Sequence, residues 1–327
     1  MMYSFEELKS IFLDYIREQK LTNEPVNLYN PVNYLMELKG KRIRPVACLL
    51  VANIFTEDIK KALPIAYSIE MFHNFTLMHD DIMDDADLRR AEPTVHIKYN
   101  INTAILSGDL MMIMSYKHIL NCCTDLVLKD KLLKLFTDTA IEVCEGQQYD
   151  MDFENKKEVS LSDYLLMIKL KTAVLLAGTF KAGALIGGAS DKDAAHFYNL
   201  GLNLGLAFQI QDDLLDTFGD QDIFGKKIGG DIIQNKKTYL YLKALELADS
   251  NQKAKLISLY NDNLMKKDDK IAEVKAIFKD LKIKDHAENL IEELMGNAFE
   301  HYHALSVPEE KLKEVKNLMN YLLKRNI

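Results

Sequence analysis

The sequence predicts an all-α protein, and three of its features carry that prediction. Apolar residues recur at helical spacing along most of the chain, as they do at Phe5, Leu8, Phe12 and Ile16. Only 14 glycines and 6 prolines interrupt the 327 residues. No run alternates apolar and polar residues over a useful strand length. We therefore expect one large helical domain over residues 1–327.

The N-terminal half is predicted to be a series of helices separated by breakers. A loop with Pro25 and Pro31 follows the first helix, Gly40 is suited to end the next one, and Pro45 and Pro64 are suited to first turns. A loop is predicted from Arg89 to His96. The helices expected in this half cover residues 5–18, 33–38, 46–54, 58–63, 64–78, 102–119 and 129–143.

The C-terminal half continues the helical pattern. Ser160 or Ser162 is suited to cap a helix over 164–170. Lys171 and Thr172 then interrupt an apolar stretch that ends near residue 188. A polar, glycine-rich loop is predicted over residues 219–231. The remaining helices expected here cover residues 195–211, 253–263, 271–281, 286–305 and 311–323.

Two clusters of aspartates, each spaced D-D-x-x-D, end apolar helical runs. In a helix each residue advances about 100°, so Asp80 and Asp84 lie about 40° apart on one face. Like charges at this spacing repel by a few tenths of a kcal/mol, so the arrangement is unfavourable unless a cation binds there. Two such clusters indicate a site for hard divalent cations. Their members are Asp80, Asp81 and Asp84, and then Asp212, Asp213 and Asp216.

Basic residues are the other polar exceptions in this apolar chain. Carboxylates without histidine or cysteine ligands at metal spacing favour Mg²⁺, which retains water and accepts phosphate oxygens as ligands. The pattern indicates one diphosphate held through Mg²⁺ between two acidic helix ends, and another held by cations. A metal-bound diphosphate is a good leaving group, and the apolar helices would accept a hydrocarbon tail. The candidate cations are Lys41, Arg44, Arg89, Arg90, Lys171, Lys226 and Lys236.

Composition excludes several classes of protein. The net charge of −8 argues against a nucleic-acid partner bound through bulk charge. No uncharged run reaches the roughly 18–20 residues that a membrane span needs, and the N-terminal residues do not resemble a signal peptide. The four cysteines lie in helical runs without C-x-x-C spacing, which favours buried thiols in a reducing compartment. We therefore expect a cytoplasmic protein.

Seven motifs give the sequence its resemblance to a known family. They are G-K-R-I-R-P, H-D-D-I-M-D, R-R-x-x-P-T-x-H, G-Q-Q-Y-D, K-T, F-Q-I-Q-D-D-L-L-D and G-K-K-I-G-G-D. With them the chain resembles the trans-isoprenyl diphosphate synthase, or polyprenyl synthetase, family over nearly its whole length. That resemblance implies antiparallel helices around a deep central cavity, usually in a homodimer. It also implies Mg²⁺-dependent head-to-tail condensation of isopentenyl diphosphate with an allylic diphosphate, and Mn²⁺ could replace Mg²⁺.

The resemblance also implies roles for individual residues. The principal metal ligands would be Asp80, Asp84 and Asp212, with Asp81, Asp150, Asp213 and Asp216 in support. Isopentenyl diphosphate would be held by Lys41, Arg44, His73 and Arg90. The allylic diphosphate would be contacted by Arg89, Lys171 and Lys226, with Lys236 near them. Gln147, Thr172 and Gln209 would line the reaction site. The released diphosphate, rather than a protein base, would take the proton.

Two features of the sequence depart from the family or leave a choice open. Ala91 stands where the family usually has glycine, and Lys227 competes with Lys226 for the diphosphate. Product length is expected to depend on Phe75 and Thr76, which lie five and four residues before Asp80. In the family that the chain resembles, an aromatic residue five positions before the first D-D-x-x-D motif is typical of short-chain synthases. We therefore expect geranylgeranyl diphosphate as the product, in preference to farnesyl diphosphate. In the alternative, Met111 or Met112 limits the tail.

Three other functions compete with this interpretation. A helical metal phosphohydrolase would use His73 and the His79–Asp80 pair, but it would need further histidine ligands. A class I terpene cyclase would need neither the second aspartate cluster nor Lys41 and Arg44. A non-catalytic subunit that modulates a partner synthase would be expected to have lost carboxylates or arginines, and none is missing from the motifs.

Overall fold

The structure, a computed structural model, describes residues 2–156, 158–219, 228–262 and 264–323. Helices occupy most of these ranges, so the prediction of an all-α fold is confirmed. The α-helices of the described ranges are α1 (Phe5–Glu18), α2 (Val26–Glu37), α3 (Ile43–Phe55), α4 (Leu63–Met83), α5 (Val95–Lys98), α6 (Ile101–Leu120), α7 (Leu126–Asn155), α8 (Leu161–Ile168), α9 (Val174–Gly187), α10 (Asp191–Phe218), α11 (Gly230–Ile233), α12 (Tyr239–Leu247), α13 (Ser250–Asn261), α14 (Lys267–Asp280), α15 (Ile283–His303) and α16 (Glu309–Leu323).

Four short elements complete the described secondary structure. A 3₁₀ turn covers Ile59–Ala62, and a π-helical segment covers Lys169–Ala173 between α8 and α9. Strands β1 (Leu88–Arg89) and β2 (Glu92–Pro93) pair antiparallel, and all of their residues except Leu88 fall in the stretch predicted to be a loop. Strands of two residues are too short to produce an alternating sequence pattern.

Local sequence explains where the first helices begin. Ser4 and Glu7 form a capping box at α1, in which each side chain accepts a hydrogen bond from the other residue's backbone N–H. Helix α2 begins at Val26, earlier than predicted, and continues through Pro31. A proline inside a helix loses one hydrogen bond. Burial of the α2 face that includes Pro31 and Leu35 offsets that loss.

The chain forms two compact units. The first comprises residues 1–137, 179–195 and 306–318. Within it α4 packs along α6 and also contacts α2 and α3. Helix α9 comes close to α3, because a Cβ atom at Gly183 would lie 2.3 Å from the Cys48 carbonyl oxygen. The C-terminal turn of α4 carries the first aspartate cluster.

The second unit comprises residues 138–178, 196–305 and 319–327. It contains the C-terminal half of α10, which carries the second aspartate cluster, together with α8 and the π-helical segment. Helix α12 packs on α8 and α15, and α14 packs on α13 and α15. The single domain and the deep cavity expected from the sequence stay predictions.

Two further expectations concern the membrane and the thiols. Across the described ranges, no helix has the length and apolar character required to cross a bilayer. The four cysteines are free thiols. Cys48 and Cys122 are buried as expected, whereas Cys144 is exposed on α7.

Candidate active site

The first aspartate cluster ends helix α4 and divides into two parts. Asp84 is the C-cap residue, and its N–H donates to the Asp80 carbonyl oxygen at 2.8 Å, so the two side chains lie one turn apart. Asp84 is exposed and Asp80 is half-buried. Asp81 lies on another face of the helix and is only 1 % exposed. Asp80 and Asp84 are therefore the more accessible carboxylates of the cluster, and their role as metal ligands stays a prediction.

Asp81 is held by Arg89. The Arg89 guanidinium donates to Asp81 Oδ1 through Nη2 at 2.5 Å and through Nε at 3.0 Å. Burial raises the pKa of Asp81, although the Arg89 charge acts in the opposite direction. This pair fixes the orientation of Arg89, whose side chain is only about a quarter exposed. The structure thus gives Asp81 a positioning contact with a predicted diphosphate ligand.

The β1–β2 hairpin carries both arginines of the R-R motif. Leu88 pairs with Pro93 and Arg89 with Glu92, so Arg90 and Ala91 form a two-residue turn. Both turn residues have positive φ, 56° and 66° respectively. Such turns match the twist of a hairpin, and glycine adopts that backbone more readily than alanine does. Ala91 therefore occupies a backbone conformation that favours the family's usual glycine.

Three of the predicted isopentenyl diphosphate ligands form one basic cluster. Arg44 Nη1 lies 3.2 Å from His73 Nε2, which must accept because a guanidinium only donates. Burial, followed by the charges of Arg44 and Arg90, lowers the pKa of His73 well below its ordinary value. A Cβ atom at Gly40 would lie 2.8 Å from Arg90 Nη1, so this guanidinium covers the glycine. Lys41 is exposed beside Gly40 in the chain.

Arg42 is a buried cation to which the sequence analysis gave no role. Its guanidinium forms an ion pair with Glu70, and both side chains are at most 3 % exposed. It also donates to the carbonyl oxygens of Met36 at 2.5 Å and Leu38 at 2.8 Å, at the end of α2. Asn74 donates to Glu70 at 3.2 Å. The one acidic residue within the apolar run of α4 was the signal that a buried partner exists.

The second aspartate cluster, on α10, divides in the same way as the first. Asp212 and Asp216 are half-buried, while Asp213 is only 4 % exposed. Asp213 accepts hydrogen bonds from the Tyr164 hydroxyl and from Gln209 Nε2, the latter at 3.2 Å. Burial, with the charge of Asp231 next in size, raises the pKa of Asp213 well above its ordinary range. Tyr164, which lies within α8 before the K-T motif, was not assigned a role from the sequence.

Asp216 also supports the local backbone. Its Oδ2 accepts from the Asp231 N–H at 2.9 Å, and its carbonyl oxygen accepts from the Gly229 N–H at 2.6 Å. These bonds fix the start of the short helix α11. Asp216 thus joins the second aspartate cluster to the end of the glycine-rich loop. Lys226 and its competitor Lys227 lie outside the described residues.

The π-helical segment presents the K-T motif to α7 and α10. Lys171 Nζ lies 2.6 Å from Asp150 Oδ2 on α7. Thr172 Oγ1 donates to Gln209 Oε1 on α10 at 3.2 Å. Because Gln209 donates in turn to Asp213, a hydrogen-bonded chain links the K-T motif to the second aspartate cluster. Gln147 is half-buried one turn before Asp150.

Lys236 is exposed, and the lysine after it closes the end of another helix. Lys237 Nζ donates to the carbonyl oxygens of Phe153 at 2.6 Å and Lys156 at 2.7 Å. These carbonyls lie at the C-terminal end of α7, where a cation is favourable. Only Lys236 of the two therefore remains suited to a contact with substrate.

Phe75 and Thr76, the two residues expected to limit the product tail, make different contacts. Phe75 is 8 % exposed and packs edge-on against His79, with ring centroids 4.8 Å apart. His79 Nε2 lies 3.1 Å from the Ile105 carbonyl oxygen, and a Cβ atom at Gly108 would overlap the imidazole. Thr76 Oγ1 donates to the His73 carbonyl oxygen at 2.8 Å. His79 therefore supports the Phe75 ring from the side of the aspartates.

The donor set suits a cation that brings part of its own coordination shell. Among the residues that the structure describes, no group of three His, Cys, Asp or Glu side chains is placed to hold a metal ion. Mg²⁺ does not need such a group, because it keeps several waters and binds through one or two carboxylates plus substrate phosphates. Pairs such as Asp80 with Asp84 fit that requirement.

The chain is similar in sequence to known prenyl diphosphate synthases, which agrees with its sequence motifs. The polyprenyl synthetase family matches residues 25–281. A geranylgeranyl diphosphate synthase of Methanosarcina mazei is 40 % identical over 222 residues, which is 68 % of each chain. One from Sulfolobus acidocaldarius is 33 % identical over 324 residues, 98 % of this chain and 97 % of the other. A geranylfarnesyl diphosphate synthase of Natronomonas pharaonis is 38 % identical over 254 residues, 73 % of this chain and 74 % of the other.

Solved structures show the same likeness. The crystal structure of a geranylgeranyl pyrophosphate synthase superposes with a TM-score of 0.94 at 41 % identity, covering 100 % of both chains. A geranylgeranyl pyrophosphate synthetase from Pyrococcus horikoshii Ot3 gives a TM-score of 0.91 at 29 % identity, covering 98 % of this chain and 97 % of the other. The molecule thus has the all-α isoprenoid synthase fold.

The chain belongs to the polyprenyl synthetase family. It is therefore an enzyme, a prenyltransferase of the trans-isoprenyl diphosphate synthase type. The resemblance seen in the sequence motifs is confirmed.

Proposed function

We propose that the protein condenses isopentenyl diphosphate head-to-tail with an allylic diphosphate and that its main product is geranylgeranyl diphosphate. That it makes a short-chain prenyl diphosphate follows from its family and relatives. The observation that best supports the proposed chemistry is that each aspartate cluster leaves its first and last carboxylates less buried, whereas the middle one is anchored by the protein. Mg²⁺ is the proposed cation, and Mn²⁺ could replace it.

We assign the isopentenyl diphosphate to the basic cluster of the first unit. Arg44 and Arg90 would bind the diphosphate oxygens, and exposed Lys41 would add a third cation. Neutral His73 accepts from Arg44 and so orients its guanidinium. Arginines whose positions are already fixed lose less conformational entropy when the anion binds.

The allylic diphosphate is assigned to Arg89, Lys171 and Lys226, with Lys236 nearby. Bound Mg²⁺ would supply the charge that stabilises the departing diphosphate, and Asp80, Asp84 and Asp212 would hold it. Asp81 and Asp213 would act mainly through Arg89 and Gln209, the residues that they contact. Gln147, Thr172 and Gln209 would line the region where the allylic carbon becomes positive. The departing diphosphate would then take the proton.

Phe75 is proposed to limit the tail of the product. Its ring is held between Phe72, at a centroid distance of 5.5 Å, and His79. In the alternative, the limit is set by Met111, which is fully buried, or by Met112 beside it on α6. Phe75→Ala should lengthen the product, as read by chromatography. An unchanged product, with lengthening in Met111→Ala or Met112→Ala instead, would support the alternative.

A second copy of the chain is the proposed partner of helix α6. Helix α6 packs on α4, and it also exposes five large apolar side chains. Single exposed apolar side chains are common, whereas several on one helix indicate an association site. A symmetric dimer would cover the same patch on both copies. The exposed residues are Ile101, Ile105, Leu106, Ile113 and Leu120.

The cytoplasm is the proposed location. Four unpaired cysteines, one of them exposed, suit a compartment that keeps thiols reduced.

One assay tests the proposed reaction. Purified protein is given Mg²⁺, labelled isopentenyl diphosphate and each allylic primer in turn, and product length is read by chromatography. Asp80→Asn and Asp212→Asn should each lower the rate by roughly a hundredfold or more, because each removes a charged ligand acting at the departing group. Asp87→Asn is the matched control, since Asp87 is exposed in the same segment but outside the D-D-x-x-D motif. Equal rates in all three variants would contradict the proposal.

A further inference from the structure

The K-T motif lies in a π-helical segment, Lys169–Ala173, that interrupts the run from α8 to α9. A π turn contains more residues than an α turn, and such turns inside helices are frequent at functional sites. The extra residue changes the direction in which Lys171 and Thr172 project relative to the flanking helices. Something must therefore stabilise this segment against reverting to regular helix.

One glycine on α7 and one on α10 leave room for the π-helical segment. A Cβ atom at Gly146 of α7 would lie 2.2 Å from the Lys171 nitrogen and 2.6 Å from the Leu170 carbonyl carbon. A Cβ atom at Gly205 of α10 would lie 2.6 Å from Ala173 Cα. These neighbours are backbone atoms or lie next to the backbone, so they cannot rotate away as a flexible side chain would. The π-helical segment thus packs directly against the backbones of α7 and α10 at these two glycines.

Each glycine lies one helical turn before the residue that contacts the K-T motif. On α7, Gly146 precedes Asp150, whose carboxylate lies 2.6 Å from Lys171 Nζ. On α10, Gly205 precedes Gln209, whose side chain accepts from Thr172 at 3.2 Å. Residues four apart share one face of a helix. The same two faces therefore provide both the close backbone contact and the polar partner.

We propose that Gly146 and Gly205 are positioning residues, which set Lys171 and Thr172 in the geometry that binds the allylic diphosphate. Any side chain at either position would displace the π-helical segment and with it the Lys171–Asp150 and Thr172–Gln209 contacts. The proposal rests on the assignment of Lys171 to the allylic diphosphate. It gives a function to the glycine of the G-Q-Q-Y-D motif, which the reaction itself does not require.

The proposal is tested by measuring KM for the allylic diphosphate and KM for isopentenyl diphosphate in Gly146→Ala. Displacing a charge-assisted contact should raise KM for the allylic diphosphate about tenfold, whereas KM for isopentenyl diphosphate should stay within about twofold. Gly296→Ala is one control, since nothing lies within 4 Å of a Cβ atom there. Gly178→Ala is the second, because its Cβ atom would lie 2.9 Å from Thr139 Oγ1, a tight contact away from the segment. Neither control should change either KM.

Lys171→Ala separates this proposal from the proposed function. If Lys171→Ala leaves the allylic KM unchanged, the assignment of Lys171 is wrong. If it raises that KM while Gly146→Ala behaves like Gly178→Ala, the assignment stands and the positioning role is wrong. In the double variant Gly146→Ala with Lys171→Ala, the two effects should not add, because both act through one contact.

Gly205→Ala repeats the test from the α10 side. It should also raise the allylic KM selectively, by displacing Ala173 next to Thr172. If neither Gly146→Ala nor Gly205→Ala gives folded protein by circular dichroism while both control variants do, the glycines serve packing alone and the positioning role is overturned.

Discussion

The hydroxyl group of Tyr164 donates a hydrogen bond to the carboxylate of Asp213, and both side chains are less than 5 % exposed. Tyr164→Phe keeps the ring but removes the hydroxyl group. Of the two side-chain donors to Asp213 described above, Gln209 then remains. Losing one donor to this buried carboxyl group should lower the free energy of unfolding by about 1–3 kcal/mol. Urea denaturation measures that change. Tyr321→Phe is the control, since Tyr321 is half exposed, and an equal loss there would contradict the importance of the buried bond.

Asp81 and Asp80 should respond differently to replacement by asparagine. Asp81→Asn weakens the grip on Arg89, so KM for the allylic diphosphate should rise about tenfold while the Mg²⁺ concentration for half-maximal rate stays constant. Asp80→Asn should instead raise the Mg²⁺ requirement, because it removes a proposed ligand. Steady-state rates over a range of Mg²⁺ concentrations distinguish the two. A raised Mg²⁺ requirement in Asp81→Asn would show that Asp81 binds metal.

His73 should make the stability of the protein depend on pH. In the folded protein the pKa of His73 is well below its ordinary value of 6.5, so the unfolded chain binds a proton here that the folded chain does not. The free energy of unfolding should therefore fall as pH drops below about 6.5, by at most about 1.4 kcal/mol per pH unit, and this group should add no slope above it.

His73→Gln is the variant that isolates this effect. Glutamine offers Arg44 a neutral acceptor at every pH, so the contribution of His73 to the slope should disappear. Urea denaturation between about pH 5 and pH 7.5 provides the measurement. His303→Gln, at an exposed position, should keep the wild-type slope. A slope that survives in His73→Gln would assign it to another group.

The buried pair of Arg42 and Glu70 should be costly to break and inexpensive to replace. Arg42→Met leaves the Glu70 carboxylate buried without its cation, and should lower the free energy of unfolding by about 3–5 kcal/mol. The double variant Arg42→Met with Glu70→Met should recover part of that loss. Lys255→Met is the control, since the Lys255–Glu273 pair is exposed and worth about 1 kcal/mol or less. Equal losses in the two single variants would contradict the buried character of the first pair.

Helix α6 should determine the oligomeric state. Ile105→Glu or Ile113→Glu places a charge in the exposed apolar row, and should convert a dimer into monomers in sedimentation velocity experiments. Leu264→Glu is matched in chemistry but lies elsewhere, at a position that is 98 % exposed. A dimer that persists in both α6 variants, or dissociates in Leu264→Glu, would place the interface elsewhere.

The sequence predicted the helices well where their ends have local chemical signals. The Ser4 capping box marks the start of α1, which runs from Phe5 to Glu18 as predicted. The predicted helix is shorter than α2 because proline usually ends a helix. In the structure α2 continues through Pro31, which is buried. The π-helical segment was not predicted, and the residues packed closely against it, Gly146 and Gly205, are distant from it in sequence.

The resemblance predicted the residues of the candidate site and a role for each, but it did not predict their burial or their hydrogen-bond partners. The motif spacing identified both aspartate trios, and the resemblance made Asp80, Asp84 and Asp212 the principal metal ligands, but neither showed that the middle member of each trio is buried. Burial separates Asp81 and Asp213 from their neighbours, and burial depends on the helices packed around them. Arg42 and Tyr164 were left without roles for the same reason, since their partners Glu70 and Asp213 are far away in sequence.

The turn at Arg90 and Ala91 carries an implication for how the chain tolerates insertions. Adjacent residues of a strand project to opposite faces, so a shift by one position exchanges which side chain points where. Arg89 lies in β1 opposite Glu92 and donates to Asp81, whereas Arg90 lies in the turn beside Gly40. A change in the length of this turn should therefore displace Arg90 more than Arg89, so an insertion here would move one of the two predicted diphosphate ligands and leave the other in place.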